Sequence, residues 1–144
     1  MAEVKFYDPS FVPEAGLTYA VIASMYRGKW LFVRHNNRTT WEMPGGHIEE
    51  NETSDEAAGR ELIEETGSSD FKLECVSTYS VTMNGKTGYG RLYLAEVFSL
   101  GPIPDISEII EIKAGSFNPV ENTYPEIQPL LFERILMHLK TRED

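Results

Sequence analysis

From Gly45 to Ser68 the chain reads Gly-Gly-His-Ile-Glu-Glu-Asn-Glu-Thr-Ser-Asp-Glu-Ala-Ala-Gly-Arg-Glu-Leu-Ile-Glu-Glu-Thr-Gly-Ser. Thr53 followed three residues later by Glu56 has the form of a capping box, so Thr53 is the expected N-cap of a short helix. Asp55 and Glu56 then fall in the first turn, where the helix dipole favours negative charge. Gly67 follows the last helical residue and suits a left-handed C-terminal cap.

The far end of this helix breaks the local rules. Glu61, Glu64 and Glu65 stand three and four residues apart and project within an arc of about 100°. Like charges at that spacing repel, and Glu64 and Glu65 occupy the last turn, where the dipole favours cations. A divalent cation reverses the sign of each of these terms. Carboxylate oxygens as sole ligands point to a hard ion, Mg²⁺ or Mn²⁺. On charge alone, an ordinary solvated acidic face is the competing reading.

The wider spacing separates the two. Gly46 is followed after five residues by Glu52, and seven more residues lead to Arg60-Glu61-Leu62-Ile63-Glu64-Glu65-Thr66-Gly67. This resembles the Nudix box of the MutT-like pyrophosphohydrolases. Every specified position matches except the last, where Ser68 stands in place of an apolar residue. The resemblance implies a Nudix fold, an α/β/α sandwich around a mixed, partly antiparallel sheet. It also implies a Mg²⁺-dependent pyrophosphohydrolase, with Mn²⁺ able to substitute, in which water attacks a phosphorus of a nucleoside diphosphate linked to another group.

By the same resemblance, Glu61, Glu64 and Glu65 are metal ligands and catalytic residues, and Gly45 contributes its carbonyl. Gly46, Glu52, Arg60 and Gly67 are structural, with Glu52 and Arg60 tying loop to helix as an ion pair. A further glutamate late in the fold often serves as base or extra ligand. Glu108 is the candidate here and Glu111 the second. His47, Arg34 and Arg38 are candidates for phosphate contacts, each weighed against a plain solvated side chain. Trp41, Tyr19, Tyr79 and Tyr89 are offered for base stacking, against packing in the core or at its rim. No marker of the ADP-sugar or dinucleoside-polyphosphate subfamilies stands past the box, at Val81 to Asn84. A nucleoside triphosphate is therefore the favoured substrate, oxidised purines such as 8-oxo-dGTP included. Nucleotide sugars, dinucleoside polyphosphates and a non-catalytic nucleotide sensor are the alternatives.

The 144 residues suffice for one domain spanning 1–144, and 41% apolar content marks a globular chain. A net charge of −10 argues against a surface for nucleic-acid polymers but not against a small nucleotide, which a bound metal can attract. The single cysteine, Cys75, permits no internal disulfide, and no apolar run reaches membrane-spanning length, so a cytoplasmic setting is expected. Self-association into a homodimer is left open.

Along the chain, Val4–Tyr7 reads as a short edge strand, and Leu17–Tyr26 and Trp30–His35 as a hairpin around Arg27-Gly28-Lys29. Trp41–Met43 reads as a short extended piece, and Gly45-Gly46 as a tight turn. Phe71, Leu73, Cys75, Ser77, Tyr79, Val81 and Met83 are expected on one face of a strand. Asn84-Gly85 is a hairpin turn and Tyr89–Phe98 a further strand. Ser107–Phe117 is a strand or the loop before one. Pro125 or Pro129 opens a last helix with a stripe of Ile127, Leu130, Leu131, Ile135 and Leu139. The expected tally is five or six strands and two helices.

Overall fold

The computed structural model describes residues 1–143. Its strands are β1 (Glu3–Tyr7), β2 (Tyr19–Tyr26), β3 (Lys29–His35), β4 (Gly45–His47), β5 (Ser68–Met83), β6 (Lys86–Leu100) and β7 (Ile109–Gly115). Helix α1 (Ser54–Thr66) lies between β4 and β5, and helix α2 (Gln128–Glu143) ends the chain. One sheet runs β1-β5-β6-β2-β3-β7, with β4 added to β2. The β2–β6 pair is parallel and the other pairs are antiparallel.

Each face of the sheet carries its own core. Ala20, Ile22, Leu31, Tyr93 and Ala95 pack against Ala57, Ala58 and Leu62 of α1. Their neighbours in sequence, Ala23, Phe32, Leu92 and Leu94, pack against Leu131, Phe132 and Ile135 of α2. Strands buried on both sides, with alternate residues serving opposite helices, make the expected α/β/α sandwich. No helix of the described residues is long and apolar enough to cross a membrane.

The local signals of α1 appear in full. Thr53 accepts from the Glu56 backbone, the Glu56 side chain accepts from the Thr53 backbone, and Gly67 caps the end at φ 72°. Ser68, where an apolar residue was expected, is buried, and its hydroxyl hydrogen-bonds that of Thr66. Asn84 and Gly85 take φ values of 54° and 76°, as a two-residue hairpin turn with both central residues left-handed requires.

Three expectations are corrected. Gly45 and Gly46 form no tight turn; they are strand β4, paired through Gly45 to Val21 and Gly46 to Ala20. Glycine is needed there for space. A Cβ at Gly45 would stand 2.5 Å from the Ala20 carbonyl oxygen, and one at Gly46 would stand 2.5 Å from Glu61 Oε1. This added strand brings the sheet to seven.

The residues from Phe71 to Met83 do not share a face. The register of β5 against β6 slips between Cys75 and Ser77. Phe71, Leu73 and Cys75 pack on the α1 side, whereas Val76, Tyr79 and Val81 pack on the α2 side. A bulge inserts one residue, and a one-residue shift exchanges faces.

In α2, Pro129 lies in the first turn. Leu130 is 41% exposed while Phe132 is buried, so the stripe runs through Leu131, Phe132 and Ile135.

Candidate active site

β2 changes partner along its length: Tyr19–Val21 pair with β4, while Met25 and Tyr26 pair with β3. The segment before β4 runs between these strands, with Glu42 bridging to Val33 and the Ile22 N–H donating to the Pro44 carbonyl. A cavity of about 670 Å³ opens there, and its walls include His35, Met43, Gly45, Glu61, Glu65 and Gln128.

The acidic end of the cavity is made by α1. Arg60 forms a two-pronged ion pair with Glu52, Nε to Oε2 at 2.7 Å and Nη2 to Oε1 at 3.0 Å. Nη2 also donates to the His47 carbonyl at 3.0 Å, which ties the box loop to both helix and strand. The third nitrogen, Nη1, faces Glu61 at 2.8 Å, Glu64 at 3.2 Å and Glu49 at 3.4 Å. Hydrogen bonds from Arg60 hold the Glu52 carboxyl down at about 2. One guanidinium thus serves four carboxylates, and no basic residue occupies the last turn of α1.

Glu65 has no cationic partner of that kind. It is 6% exposed, and its Oε1 accepts the Gly45 N–H at 2.9 Å. Burial raises its pKa to about 8, with the negative charges of Glu61, Glu42 and Glu64 adding to the rise and the Gly45 N–H opposing it. Burial also pushes Glu61 up, against the pull of Arg60. Within an extended strand, the N–H and C=O of one residue point to the same side. The Gly45 carbonyl therefore faces the acids rather than β2.

Buried carboxylates that resist ionisation are what a divalent cation would relieve, because it favours their charged form and supplies the missing counter-charge. The donor set fits such an ion in kind. Among the described residues no three acidic or imidazole side chains stand together at metal-ligand spacing. Arg60 lies against both Glu61 and Glu64, and Glu65 turns to Gly45.

The structure separates the other candidates. Arg38 lines the cavity and binds Glu42 Oε1 at 2.7 Å. His47 lines it too, its ring 4.9 Å from that of Tyr19. Glu108 stands at the rim on the segment leading into β7, its side chain 84% exposed and 4.0 Å from His35 Nδ1. Arg34 turns instead onto Glu111 at 2.8 Å and the Arg38 carbonyl at 2.9 Å. Tyr19 and Tyr79 are wall residues, whereas Trp41 lies beneath Lys113, and Tyr89 packs near Tyr7.

Two residues beside Glu65 had not stood out in the chain. Glu42 is buried, and His35 Nε2 lies 3.5 Å from it and 3.4 Å from Glu65 Oε2. That nitrogen is enclosed and makes no hydrogen bond. An acid inside the otherwise apolar Trp41–Pro44 piece was the available signal for Glu42. Nothing in the local pattern marked His35, which ends a strand.

Comparison with known proteins gives one family. The model described as NUDIX domain matches residues 16–123. A Bacillus subtilis protein named "Putative 8-oxo-dGTP diphosphatase YtkD" is 36% identical over 83 residues, 58% of this chain and 52% of its own length. The Escherichia coli K12 protein named "Phosphatase NudJ" is 52% identical over 70 residues, 47% of this chain and 46% of its own. The chain thus spans about half the length of the curated relatives it matches. A Bacillus subtilis pyrophosphohydrolase, BsRppH, superposes with a TM-score of 0.77 at 24% identity, covering 95% of this chain and 90% of that one. At that identity the likeness speaks for the fold.

Proposed function

Because the chain belongs to the Nudix family, whose model covers most of its length, we propose that it is a divalent-cation-dependent pyrophosphohydrolase of nucleoside phosphates. The observation that carries this reading is Glu65. It is a buried carboxylate beside two further acids, held by a strand N–H and paired with no cation at hydrogen-bonding distance.

Glu61, Glu64 and Glu65, with the Gly45 carbonyl, would hold Mg²⁺, or Mn²⁺ in its place. When bound, the ion supplies neutralisation of the diphosphate charge and activation of water. The remaining work belongs to the chain. Arg60 and Glu52 fix the loop that follows β4, and through the His47 carbonyl they hold the strand of Gly45 and Gly46 to α1. Arg38 and His47 face the cavity where phosphates would lie and can donate to them. Glu108, exposed at the rim, can take the proton released by the attacking water. Water attacks phosphorus, the bridging P–O bond breaks, and the nucleotide and the phosphate fragment leave. We treat the chain as one domain with one such site.

A nucleoside triphosphate is the substrate class favoured here, with oxidised purines such as 8-oxo-dGTP among the candidates. The name of the Bacillus subtilis relative supports this choice over nucleotide sugars and dinucleoside polyphosphates. Retention of every carboxylate of the box weighs against a sensor without activity.

The test is a panel of nucleoside triphosphates, 8-oxo-dGTP, ADP-ribose, a dinucleoside polyphosphate and a nucleotide sugar, assayed with Mg²⁺ for released phosphate or pyrophosphate. Preferred turnover of a triphosphate is expected. No turnover of any member would overturn the reading.

A further inference from the structure

The cavity has a second end, a short way along the chain from the acids. Where the Gly45 N–H meets Glu65, the Met43 N–H meets Gln128 Oε1 at 2.9 Å. Met43 precedes Gly45 by two residues, across the bend at Pro44. The wall residues nearest Gln128 in the chain are Tyr124, Ile127 and Leu131, with Met43 joined through the hydrogen bond and the Arg38 guanidinium over the Tyr124 ring at 6.0 Å. A flat ring carried by a phosphate held at the acidic end fits such a wall.

Gln128 is 4% exposed, and its orientation is unambiguous. A backbone N–H can only donate, so the atom facing Met43 is the amide oxygen. The same oxygen accepts a second hydrogen bond, from Asn122 Nδ2 at 3.0 Å. Asn122 is oriented in turn by its own Oδ1, which accepts the Tyr124 N–H at 2.8 Å. Two buried amides are thus anchored on backbone donors at both ends, and one group is left over. Gln128 Nε2 carries two N–H donors and meets no acceptor among the described residues. It is not sealed in, because His35 Nε2 is the one side-chain polar atom among them that is both enclosed and unpaired. The free donor of Gln128 therefore opens on the cavity that the residue lines.

We propose that Gln128 Nε2 is a specificity-determining donor that selects nucleobases presenting a keto oxygen over those presenting an amino group at the same position. The inference rests on reading the cavity as a nucleotide site. A keto oxygen completes the amide, whereas an amino group sets donor against donor and leaves both unpaired on burial, which costs about tenfold or more in affinity. The anchored amide cannot rotate to accept instead without abandoning the Met43 and Asn122 donors.

The test is calorimetric titration of the full chain with IMP and with AMP in the presence of Mg²⁺. Both are monophosphates with no anhydride to cleave, so binding is read apart from turnover. IMP is expected to bind about tenfold or more tightly than AMP. Gln128→Glu keeps an oxygen for both anchoring donors and replaces the free amide by another oxygen. In that variant the ratio is expected to fall within twofold or to invert. A wild-type ratio within twofold, the same ratio in Gln128→Glu, or no binding of either nucleotide at millimolar concentration would overturn the proposal. If the variant fails to fold, the wild-type ratio decides alone. An IMP preference in a protein that hydrolyses no triphosphate would sustain this inference and sink the hydrolase reading.

Discussion

Gly46 stands directly against the carboxylate of Glu61, so that a Cβ on the strand residue would lie 2.5 Å from Oε1 of the helix residue. The first glycine of the box is thus a spacer that lets an acid of α1 reach the face of β4. Gly45 is hemmed in differently, because its Cβ would meet the Ala20 backbone. A side chain can yield and a backbone carbonyl cannot. Gly46→Ala is expected to displace Glu61 and lower kcat/KM roughly tenfold or more with little change in Tm. Gly45→Ala is expected to cost about 1–3 kcal/mol of stability by forcing β4 off β2. Thermal melts and steady-state kinetics on both variants check the contrast.

The buried Glu65 ties stability to pH. Its pKa is raised from 4.5 to about 8 in the fold, so the folded protein holds this proton more tightly than the unfolded chain between those values. The corresponding stability is full below about pH 4.5 and is lost as pH rises through about 8. Melting curves without divalent ions should show Tm falling across that window, with a shallower fall in Glu65→Gln. Mg²⁺ added near pH 7 should release protons to the buffer, because it binds the ionised form. Equal slopes in wild type and variant would contradict the assignment.

Arg38 is the cation that answers Glu42. The pair is 2.7 Å apart, with Glu42 buried and Arg38 partly exposed. Removing one partner of a buried pair leaves an uncompensated charge, and exposure of the other partner softens the loss. Arg38→Ala is therefore expected to cost roughly 1–2 kcal/mol, and Arg38→Ala with Glu42→Gln less than that. A double-mutant cycle by chemical denaturation measures the difference.

Arg60 and Glu52 hold the loop to the helix in a geometry that only a guanidinium provides. Arg60→Lys keeps the charge but loses the two-pronged contact with Glu52 and the bond to the His47 carbonyl. A loss of about tenfold in kcat/KM is expected, because Gly45 and Gly46 would no longer be fixed relative to Glu61. Activity equal to wild type would mean that the loop is held by other means.

Much of this was legible in the chain because local chemistry carried it. Thr53, Glu56 and Gly67 marked α1 through donors and a left-handed cap, and Asn84-Gly85 marked a turn that few other pairs make. What stayed hidden depends on distant partners. The bulge near Val76 stayed hidden because the polar phase of Lys72, Glu74, Thr78, Ser80 and Thr82 runs on across it, so the sequence alternates unbroken while the register slips. Gly45-Gly46 read as a turn because flexibility is the usual reason for glycine, while here the reason is the nearness of Ala20 and Glu61. At the site, the spacing of the box picked out Glu61, Glu64 and Glu65 as candidates. His35, Glu42 and Gln128 reach the same cavity from β3, the segment after it and α2, and no linear pattern links them.

The central claim is that the acids at the end of α1 hold the ion on which phosphate cleavage depends. The direct measurement is kcat of Glu65→Gln against wild type on the best triphosphate of the panel at saturating Mg²⁺, with Tm recorded for both. The expected result is a fall on the order of 10² or more in a variant that still unfolds in one cooperative transition. A fall of less than tenfold in a folded variant would contradict the account.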